Sequence, residues 1–133
     1  MQNQGIGKSK EDYLEAILMQ INKNGACRAT DIALKLKCSR ASVSVALNQL
    51  EEMGFISRQE WRIVLTEKGK TVAEEMLSKH RFFKALLMQA GVSEAVAEEE
   101  ACQMEHTISE DSFHKLNACL EKQSWLLDEV NKN

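Results

Sequence analysis

The sequence predicts a mainly α-helical protein, and three observations support this fold class. None of its 133 residues is proline, the residue that most disrupts a helix. Apolar residues recur at helical spacing over most of the chain. Only two short runs, residues 55–59 and 61–65, are β-prone, and they are too short to form a sheet of their own. We therefore expect several helices and one small β-ribbon.

Three helices are expected before the ribbon. The first covers about residues 10–22, with Ser9 as its candidate N-cap and the Asn24-Gly25 dipeptide at its end. Two shorter helices follow at about residues 30–37 and 40–53. Because their apolar residues repeat at helical spacing, both should face a common core.

The two short helices and the ribbon have the layout of a winged helix-turn-helix. Only a few residues separate the helices, and the second opens on small polar and cationic side chains, as in a DNA-reading helix. The ribbon would form the wing, with Arg58 and Arg62 near its tip, where they could contact phosphate oxygens. The other candidate DNA contacts are Arg28, Thr30, Ser39, Arg40, Ala41, Ser42 and Ser44, and Arg40 is the preferred one.

Simpler interpretations exist for single residues of this surface. Ser39 could only cap its helix, and Arg40 could be one more solvated charge. Trp61 could contact DNA from the wing, but an aromatic residue on a short ribbon more often packs against a neighbouring helix. We favour packing for Trp61.

Three further helices are expected after the ribbon. Thr66, Ser93 and Ser109 would cap them, and the Ala90-Gly91 pair would end the first, which is the longest. These helices carry more apolar surface than so few helices can bury. A homodimer would cover the excess.

The two parts of the chain differ in charge, although the net charge is only −3. Residues 1–84 contain 14 Lys and Arg and 10 Asp and Glu, a balance of +4, whereas residues 85–133 contain 3 and 10, a balance of −7. The first part can approach a polyanion, and the second can collect cations, although neither is basic enough for strong non-specific DNA binding. We predict a DNA-binding domain over residues 1–70 and a helical metal-binding and dimerisation domain over residues 71–133.

A cytoplasmic location is expected, with no membrane partner. The N-terminal MQNQGIGKSK lacks the apolar core of a signal peptide, and no stretch approaches the roughly 18 apolar residues of a membrane span. The four cysteines lack the spacing of a disulfide-stapled secreted domain. Cys27, Cys38 and Cys119 are interpreted as small hydrophobic residues, and Cys102 as a reduced thiol that can bind metal.

A candidate metal site lies in the stretch EACQMEHTISED, which begins at Glu100. Cys102, Glu105 and His106 are spaced i, i+3 and i+4, and on one helix they would share about a third of the circumference with Glu98. Thiolate, carboxylate and imidazole are ligands of divalent transition metals. The further candidate ligands lie upstream, and they are Asp12, Glu15 and His80.

The upstream candidates also have simpler interpretations. Asp12 could only close a capping box with Ser9, and Glu15 could be a solvated helix charge. A lone histidine is more often structural than a ligand, but in this constellation we favour a ligand role for His80.

Five motifs, in order, cover nearly the whole chain: EDYLEAIL from Glu11, RATDIALKLKCSRASVSVALNQLEEMGFI from Arg28, VLTEKGK from Val64, KHRFF from Lys79 and EACQMEHTISED from Glu100. Together they resemble the diphtheria-toxin repressor (DtxR/MntR) family of iron- and manganese-dependent repressors. The resemblance implies a winged helix-turn-helix, a helical metal-binding and dimerisation domain, and a homodimer that binds palindromic operator DNA when Fe(II) or Mn(II) is bound.

The resemblance also assigns roles to particular residues. It implies that Glu98 stands where iron-type members have a histidine ligand, and that Lys84 stands where the family usually has a glutamate of an ancillary site. It implies a minimal two-domain form without an SH3-like third domain. The metal ligands it implies are Cys102, Glu105 and His106, with Asp12 from the first helix and Glu15 and His80 as in manganese-type members.

The expected function is metal-dependent transcriptional repression of metal-homeostasis genes, without enzymatic activity. Carboxylates suit Mn(II), whereas the Cys102 thiolate favours Fe(II) or softer ions such as Zn(II), Co(II) and Ni(II), so Fe(II) is preferred. The nearest alternative is a metal-independent winged-helix regulator that senses an organic ligand. A di-iron enzyme would need the Glu-x-x-His motif twice, and a pure dimerisation module remains the simplest alternative.

Overall fold

The computed structural model describes residues 7–121, and this part contains six helices and one two-stranded sheet. In chain order they are α1 (Lys8–Asn24), α2 (Ala29–Leu36), α3 (Arg40–Glu52), β1 (Ile56–Gln59), β2 (Arg62–Leu65), α4 (Glu67–Gln89), α5 (Glu94–Met104) and α6 (Glu110–Leu120). The mainly helical fold class is confirmed. The predicted end of the last helix near residue 122 lies outside the described residues. No helix within residues 7–121 has both the length and the apolar character needed to cross a membrane.

The chain divides into two compact units, and the division falls within α4, between Glu75 and Met76. The N-terminal unit (residues 7–75) holds α1 to α3, the sheet and the first turns of α4. The C-terminal unit (residues 76–121) holds the rest of α4 with α5 and α6. The sequence-based division lies at residue 70, a few residues earlier.

α1 starts earlier than predicted. Its N-cap is Gly7, whose carbonyl accepts a hydrogen bond from the Glu11 N–H at 3.0 Å. Ser9 lies inside the helix, so the prediction that it caps α1 is wrong. At the other end Gly25 adopts a left-handed φ of 84° and donates its N–H to the Ile21 carbonyl at 2.7 Å.

α2 and α3 form the helix-turn-helix of the N-terminal unit. α2 ends at Leu36, its C-cap Lys37 adopts a left-handed φ of 57°, and α3 begins after Ser39. The Ser39 hydroxyl accepts a hydrogen bond from the Ser42 N–H at 3.0 Å, which confirms the predicted cap. The apolar positions of the two helices that are buried are Ile32, Val43, Leu47 and Leu50.

The two strands pair antiparallel and form the wing of the winged helix-turn-helix. Gln59 faces Arg62 across the last pair, and Glu60, in the tight turn between them, has a positive φ of 62°. The Ile63 N–H donates to the Cys27 carbonyl at 2.9 Å, so the segment before α2 is fixed beside β2. The predicted ribbon is confirmed.

The start of α4 packs tightly against the entry to β1. A side chain at Gly69 would overlap the Phe55 carbonyl, so only glycine fits there. The Thr66 hydroxyl accepts from the Gly69 N–H at 3.1 Å and donates to the Gly54 carbonyl at 2.6 Å. Thr66 therefore caps α4 as predicted and also fixes the turn before the wing.

The C-terminal unit has a core of three phenylalanines. Phe82 contacts Phe83 and Phe113 edge to face, with ring centroids 5.2 and 5.4 Å apart. Ser93 and Ser109 cap α5 and α6, as predicted. The other core residues are Ala85 and Ala101, with Leu86, Met104, Ile108, Leu116 and Leu120 packed around them.

The cysteines outside the metal site have different environments. Cys27 is fully buried, and burial, with a smaller effect of Asp31, raises the pKa of its thiol to about 12. Cys38 is half-buried and Cys119 is exposed. The interpretation as small hydrophobic residues therefore holds for Cys27 and is wrong for Cys119.

Candidate functional site

The cluster of predicted metal ligands begins on α5 but is not carried by one helix. α5 ends at Met104, Glu105 is its C-cap, and His106 lies in the turn that follows. The chain tightens there because the His106 and Thr107 N–H groups donate to carbonyls three residues back rather than four. The expectation of one helical stripe from Glu98 to His106 is therefore wrong, because the helix ends before the last two of these residues.

Glu105 is the centre of the cluster in the C-terminal unit. Its side chain is fully buried. One carboxylate oxygen, Oε1, lies 2.9 Å from His80 Nδ1, and the other, Oε2, lies 3.4 Å from His106 Nε2. A buried carboxylate needs hydrogen-bond donors or a cation around it. The two imidazoles can either donate hydrogen bonds to Glu105 or bind the same cation as Glu105. Three predicted ligands are thus brought together.

Cys102 lies in the last turn of α5, three residues before Glu105. Its side chain is half-buried, and the thiol is not part of a disulfide. The thiol is the only soft donor among the predicted ligands, so it bears most directly on metal preference.

The second nitrogen of His80 faces another carboxylate. His80 Nε2 lies 3.0 Å from Glu98 Oε2, and Glu98 Oε1 lies 3.0 Å from Lys84 Nζ, which is also 3.4 Å from Glu94 Oε2. Burial alone would raise the pKa of Glu98, but hydrogen bonds from Lys84 and His80 lower it below its ordinary value. Burial opposes the charge of Lys84, yet the Glu98 and Glu94 carboxylates raise the pKa of its ammonium group.

This arrangement fits a divalent transition metal. An imidazole nitrogen that binds a metal carries no proton, so an ion can replace one of the two hydrogen bonds of His80 while the other keeps the ring oriented. Two ligands about 2.1 Å from one ion lie about 3 Å apart at right angles. The 2.9 Å between His80 Nδ1 and Glu105 Oε1 matches that spacing. Glu98, held by Lys84, is then placed to orient His80.

Lys79 was not singled out in the sequence, yet it is one of the most buried side chains. Its side chain is only 1% exposed, and its Nζ lies 2.6 Å from Glu110 Oε2 and 3.1 Å from the Ile108 carbonyl. It therefore fixes the segment between α5 and α6 that follows His106. The sequence feature that indicates its burial is its helical spacing from the apolar residues Met76 and Phe83.

Two predicted ligands, Asp12 and Glu15, lie on α1 in the N-terminal unit. Asp12 accepts a hydrogen bond from Lys8 at 3.3 Å, so the alternative of a capping box with Ser9 is wrong. Glu15 is buried, at 5% exposure, so the alternative of a solvated charge is also wrong. Their binding to the same ion as His80 and Glu105 stays a prediction from the sequence.

The outer face of α3 carries four of the nine predicted DNA contacts. Arg40, Ala41, Ser42 and Ser44 are all exposed. Val45, which is 57% exposed on the same face, and Asn48, one turn further along, are exposed there as well and are not among the predicted contacts. Their positions, four and seven residues after Ala41, are the sequence feature that places them on the same helix face as Ala41.

The wing meets α3 through one of its arginines. Arg58 donates to Asn48 Oδ1 at 3.1 Å, and its Nε lies 3.7 Å from Glu51 Oε1. Arg62, at the other side of the tip, is exposed. The two predicted phosphate contacts of the wing therefore differ in their surroundings, because side chains of α3 already contact Arg58.

Trp61 does not have the environment that was expected. Its side chain is 52% exposed, and its ring lies under the guanidinium groups of Arg28 and Arg62. The preferred interpretation, packing against a neighbouring helix, is therefore wrong. Thr30, also a predicted contact, is exposed in the first turn of α2.

Comparison with known proteins finds a matching family model for each part of the chain. Residues 66–124 match the model of the iron dependent repressor, metal binding and dimerisation domain. Residues 16–60 match the model of the MarR family. The first match covers the buried histidine and carboxylate cluster, and the second covers the helix-turn-helix.

Individual relatives cover most of the chain. An uncharacterized HTH-type transcriptional regulator from Methanocaldococcus jannaschii is 33% identical over 88% of this chain and 96% of its own length. Transcriptional regulator MntR from Escherichia coli O6:H1 is 35% identical over 77% of this chain and 67% of its own length. The solved structure of T. acidophilum IdeR superposes with a TM-score of 0.73 and 25% identity over 91% of this chain. This chain spans 56% of that structure's length.

Proposed function

Because this chain belongs to the diphtheria-toxin repressor (DtxR/MntR) family of metal-dependent transcriptional regulators, we propose that it is a DNA-binding repressor of metal-homeostasis genes that a divalent metal activates. The observation that carries the proposal is the buried Glu105 carboxylate between His80 and His106, in a chain that also contains a winged helix-turn-helix. No enzymatic activity is proposed.

We propose that the metal is held by residues of the C-terminal unit and of α1. The bound ion supplies the positive charge that neutralises clustered carboxylates. Glu98 lies 3.0 Å from the half-buried ammonium group of Lys84, which favours a role in orienting His80 over direct ligation. The proposed ligands are Asp12, Glu15, His80, Cys102, Glu105 and His106.

Fe(II) is the proposed ion in the cell, with Mn(II) second. The carboxylates suit Mn(II), a hard ion, whereas the thiolate of Cys102 shifts the preference toward Fe(II). Zn(II), Co(II) and Ni(II) suit the same thiolate and imidazole donors, so we expect them to substitute in the purified protein.

The DNA partner is proposed to be a palindromic operator bound by a homodimer. α3 would enter the major groove with Arg40 at its N-terminal end, and the two copies of α3 would lie about one helical turn apart. The proposed ligands come from both units, so metal binding would reduce the freedom of the units and lower the cost of binding DNA. By linkage, operator DNA must then tighten metal binding by the same factor.

The test is an anaerobic titration of Fe(II), Mn(II) and Zn(II) into the full chain with a fluorescent palindromic promoter fragment, followed by anisotropy. Cys102→Ala should shift the metal midpoint to higher concentration, and Arg40→Ala should weaken DNA binding at every metal concentration. Cys119→Ala, an exposed thiol on α6, and Lys115→Ala, an exposed cation on α6, are the matched controls. Equal DNA affinity with metal and with chelator would refute the proposal.

The alternative is a metal-independent winged-helix regulator that senses an organic ligand. The match of residues 16–60 to the MarR family is compatible with it, because that match contains none of the C-terminal ligand candidates. The same titration separates the two functions. Operator binding that ignores both the chelator and Cys102→Ala would favour the alternative.

A further inference from the structure

We propose that Trp61 is a positioning residue of the DNA-binding surface, whose ring holds the guanidinium groups of Arg28 and Arg62 together as a clamp for duplex DNA phosphates. We call these three residues the wing clamp. The proposal rests on the proposed DNA-binding function and assigns one of its contacts.

The first observation is the stacking itself. The guanidinium carbon of Arg28 lies 4.4 Å from the centroid of the Trp61 ring, and that of Arg62 lies 5.9 Å from it. Both distances are within the range of about 6 Å in which an aromatic face attracts a cation. One ring therefore gathers two positive charges that would otherwise repel each other.

The second observation is that the backbone fixes both sides of the wing clamp. The Ile63 N–H donates to the Cys27 carbonyl at 2.9 Å, which places Arg28 beside β2. The Arg28 N–H donates to Asp31 Oδ2 at 2.9 Å at the start of α2. On the other side, the turn at Glu60 and the pairing of Gln59 with Arg62 set the position of the tip.

The third observation is the charge that remains unmatched. Among residues 7–121, Arg28 and Arg62 form no ion pair within 4 Å, whereas Arg58 lies 3.7 Å from Glu51. All three members of the wing clamp are exposed. Two guanidinium groups with free donors match the bidentate geometry of phosphate oxygens.

The stacking also favours phosphate over base contact. Arg28 lies over a face of the ring, so that face is not available to stack on an unpaired base. The two guanidinium groups beside the exposed ring present N–H donors and positive charge, which suit the phosphate backbone of a duplex. A single-stranded nucleic acid is therefore an outcome for the test to exclude.

The experiment measures the affinity of the metal-loaded full chain for the palindromic fragment by anisotropy over a series of salt concentrations. Each lost phosphate contact should reduce the slope of log affinity against log salt by about 0.9. Arg28→Ala and Arg62→Ala should each reduce it by about that amount. Trp61→Ala keeps both charges but should still weaken binding about tenfold and reduce the slope by about 1.

Conservative variants separate positioning from a general loss of structure. Trp61→Phe keeps an aromatic face and should restore most of the affinity. Arg28→Lys keeps the charge but loses the planar group, so it should reproduce the loss seen in Trp61→Ala. Adding Trp61→Ala to the double variant Arg28→Ala/Arg62→Ala should reduce DNA affinity little further, because substitutions in residues that act as one unit do not have additive effects.

A fluorescence measurement reports on Trp61 directly. The chain has two tryptophans, and Trp125→Phe leaves Trp61 as the one reporter. Duplex DNA with metal should change its emission, and metal alone should not. A larger change with single-stranded DNA of the same length would overturn the assignment to duplex phosphates.

The outcomes distinguish this inference from the function on which it rests. Metal-dependent binding by the unmodified chain, with unchanged affinity and slope in Trp61→Ala and Arg28→Lys, would overturn the wing clamp alone. Leu34→Ala, which truncates a large apolar side chain of the same unit that is 80% exposed, is the control and should change neither quantity. Failure of the unmodified chain to bind DNA with any of the metals would overturn both.

Discussion

One cluster of charged groups in each unit illustrates a different arrangement. In the C-terminal unit, a series of buried and half-buried groups pair with one another, from Lys84 through Glu98 and His80 to Glu105. In the N-terminal unit the arginines of the wing clamp lie at the surface around an exposed aromatic ring. The first arrangement suits a small ion inside the protein, and the second suits an extended anion outside it.

The difference shows why net charge alone is a poor guide to function. The chain carries −3 overall, yet two arginines without an ion pair among residues 7–121, Arg28 and Arg62, lie where DNA is proposed to bind. The carboxylates of Glu98, Glu105 and Glu110 lie beside imidazole or ammonium groups. Variants that remove one charge from either unit should therefore have different consequences, and the sizes of these effects test the comparison.

The largest effect is expected for Lys79→Ala. The side chain is buried and pairs with Glu110 and the Ile108 carbonyl, so its loss leaves a buried acceptor without its donor. The free energy of unfolding should fall by about 3 kcal/mol, measured by urea denaturation. The control, Lys115→Ala, removes an exposed pair with Asp111 and should cost about 0.5 kcal/mol or less. Equal costs would break the contrast between buried and surface charge.

The next effect concerns metal affinity. Glu105→Gln removes one negative charge from the centre of the cluster and should weaken binding of Mn(II) or Co(II) about 100-fold, measured by calorimetry. Glu99→Gln, an exposed carboxylate on α5, is the control and should change the affinity little. Unchanged affinity in Glu105→Gln would move the metal site elsewhere.

A smaller effect, of opposite sign, is expected for Lys84→Gln. The ammonium of Lys84 lies 3.0 Å from Glu98, and its charge should repel an ion at His80. Removing the charge should tighten metal binding about tenfold, or about 1.4 kcal/mol. Lys115→Gln controls for the change in net charge. Weaker metal binding in Lys84→Gln would instead show that Lys84 acts chiefly by holding Glu98 in place.

The smallest effect is a pH dependence of the metal-free protein. The lowered pKa of Glu98 stabilises the fold above its unfolded value of about 4.3, and that contribution is lost as pH falls through the folded value. The raised pKa of Lys84 stabilises the fold below about pH 10.4, and that contribution is lost as pH rises through its folded value.

Glu98→Gln should therefore cost stability at pH 7, by about 0.5 kcal/mol because the carboxylate is partly exposed, and less near pH 3. Urea denaturation in the presence of a chelator measures both values. A cost that is the same at pH 3 and pH 7 would show that the charge of Glu98 contributes nothing.

Much of the fold follows from neighbouring residues and could be predicted. Ser39, Thr66, Ser93 and Ser109 cap helices through hydrogen bonds that span three residues, so the sequence around each position contains the whole interaction. Ser9 is the exception, because Gly7 offered an earlier start to α1. The order of the elements and the ligand types of the metal cluster were predictable for the same local reason.

The sequence by itself therefore determined the helices, the wing and the presence of a thiolate, carboxylates and imidazoles near the acidic end. Only the tertiary structure decided which of them meet: His80 and Glu105 are 25 residues apart, and Arg28 and Trp61 lie in different elements. It also decided that α5 ends before Glu105 and that Lys79 is buried. These outcomes depend on packing between distant segments, whose free energy is not a property of any short stretch of sequence.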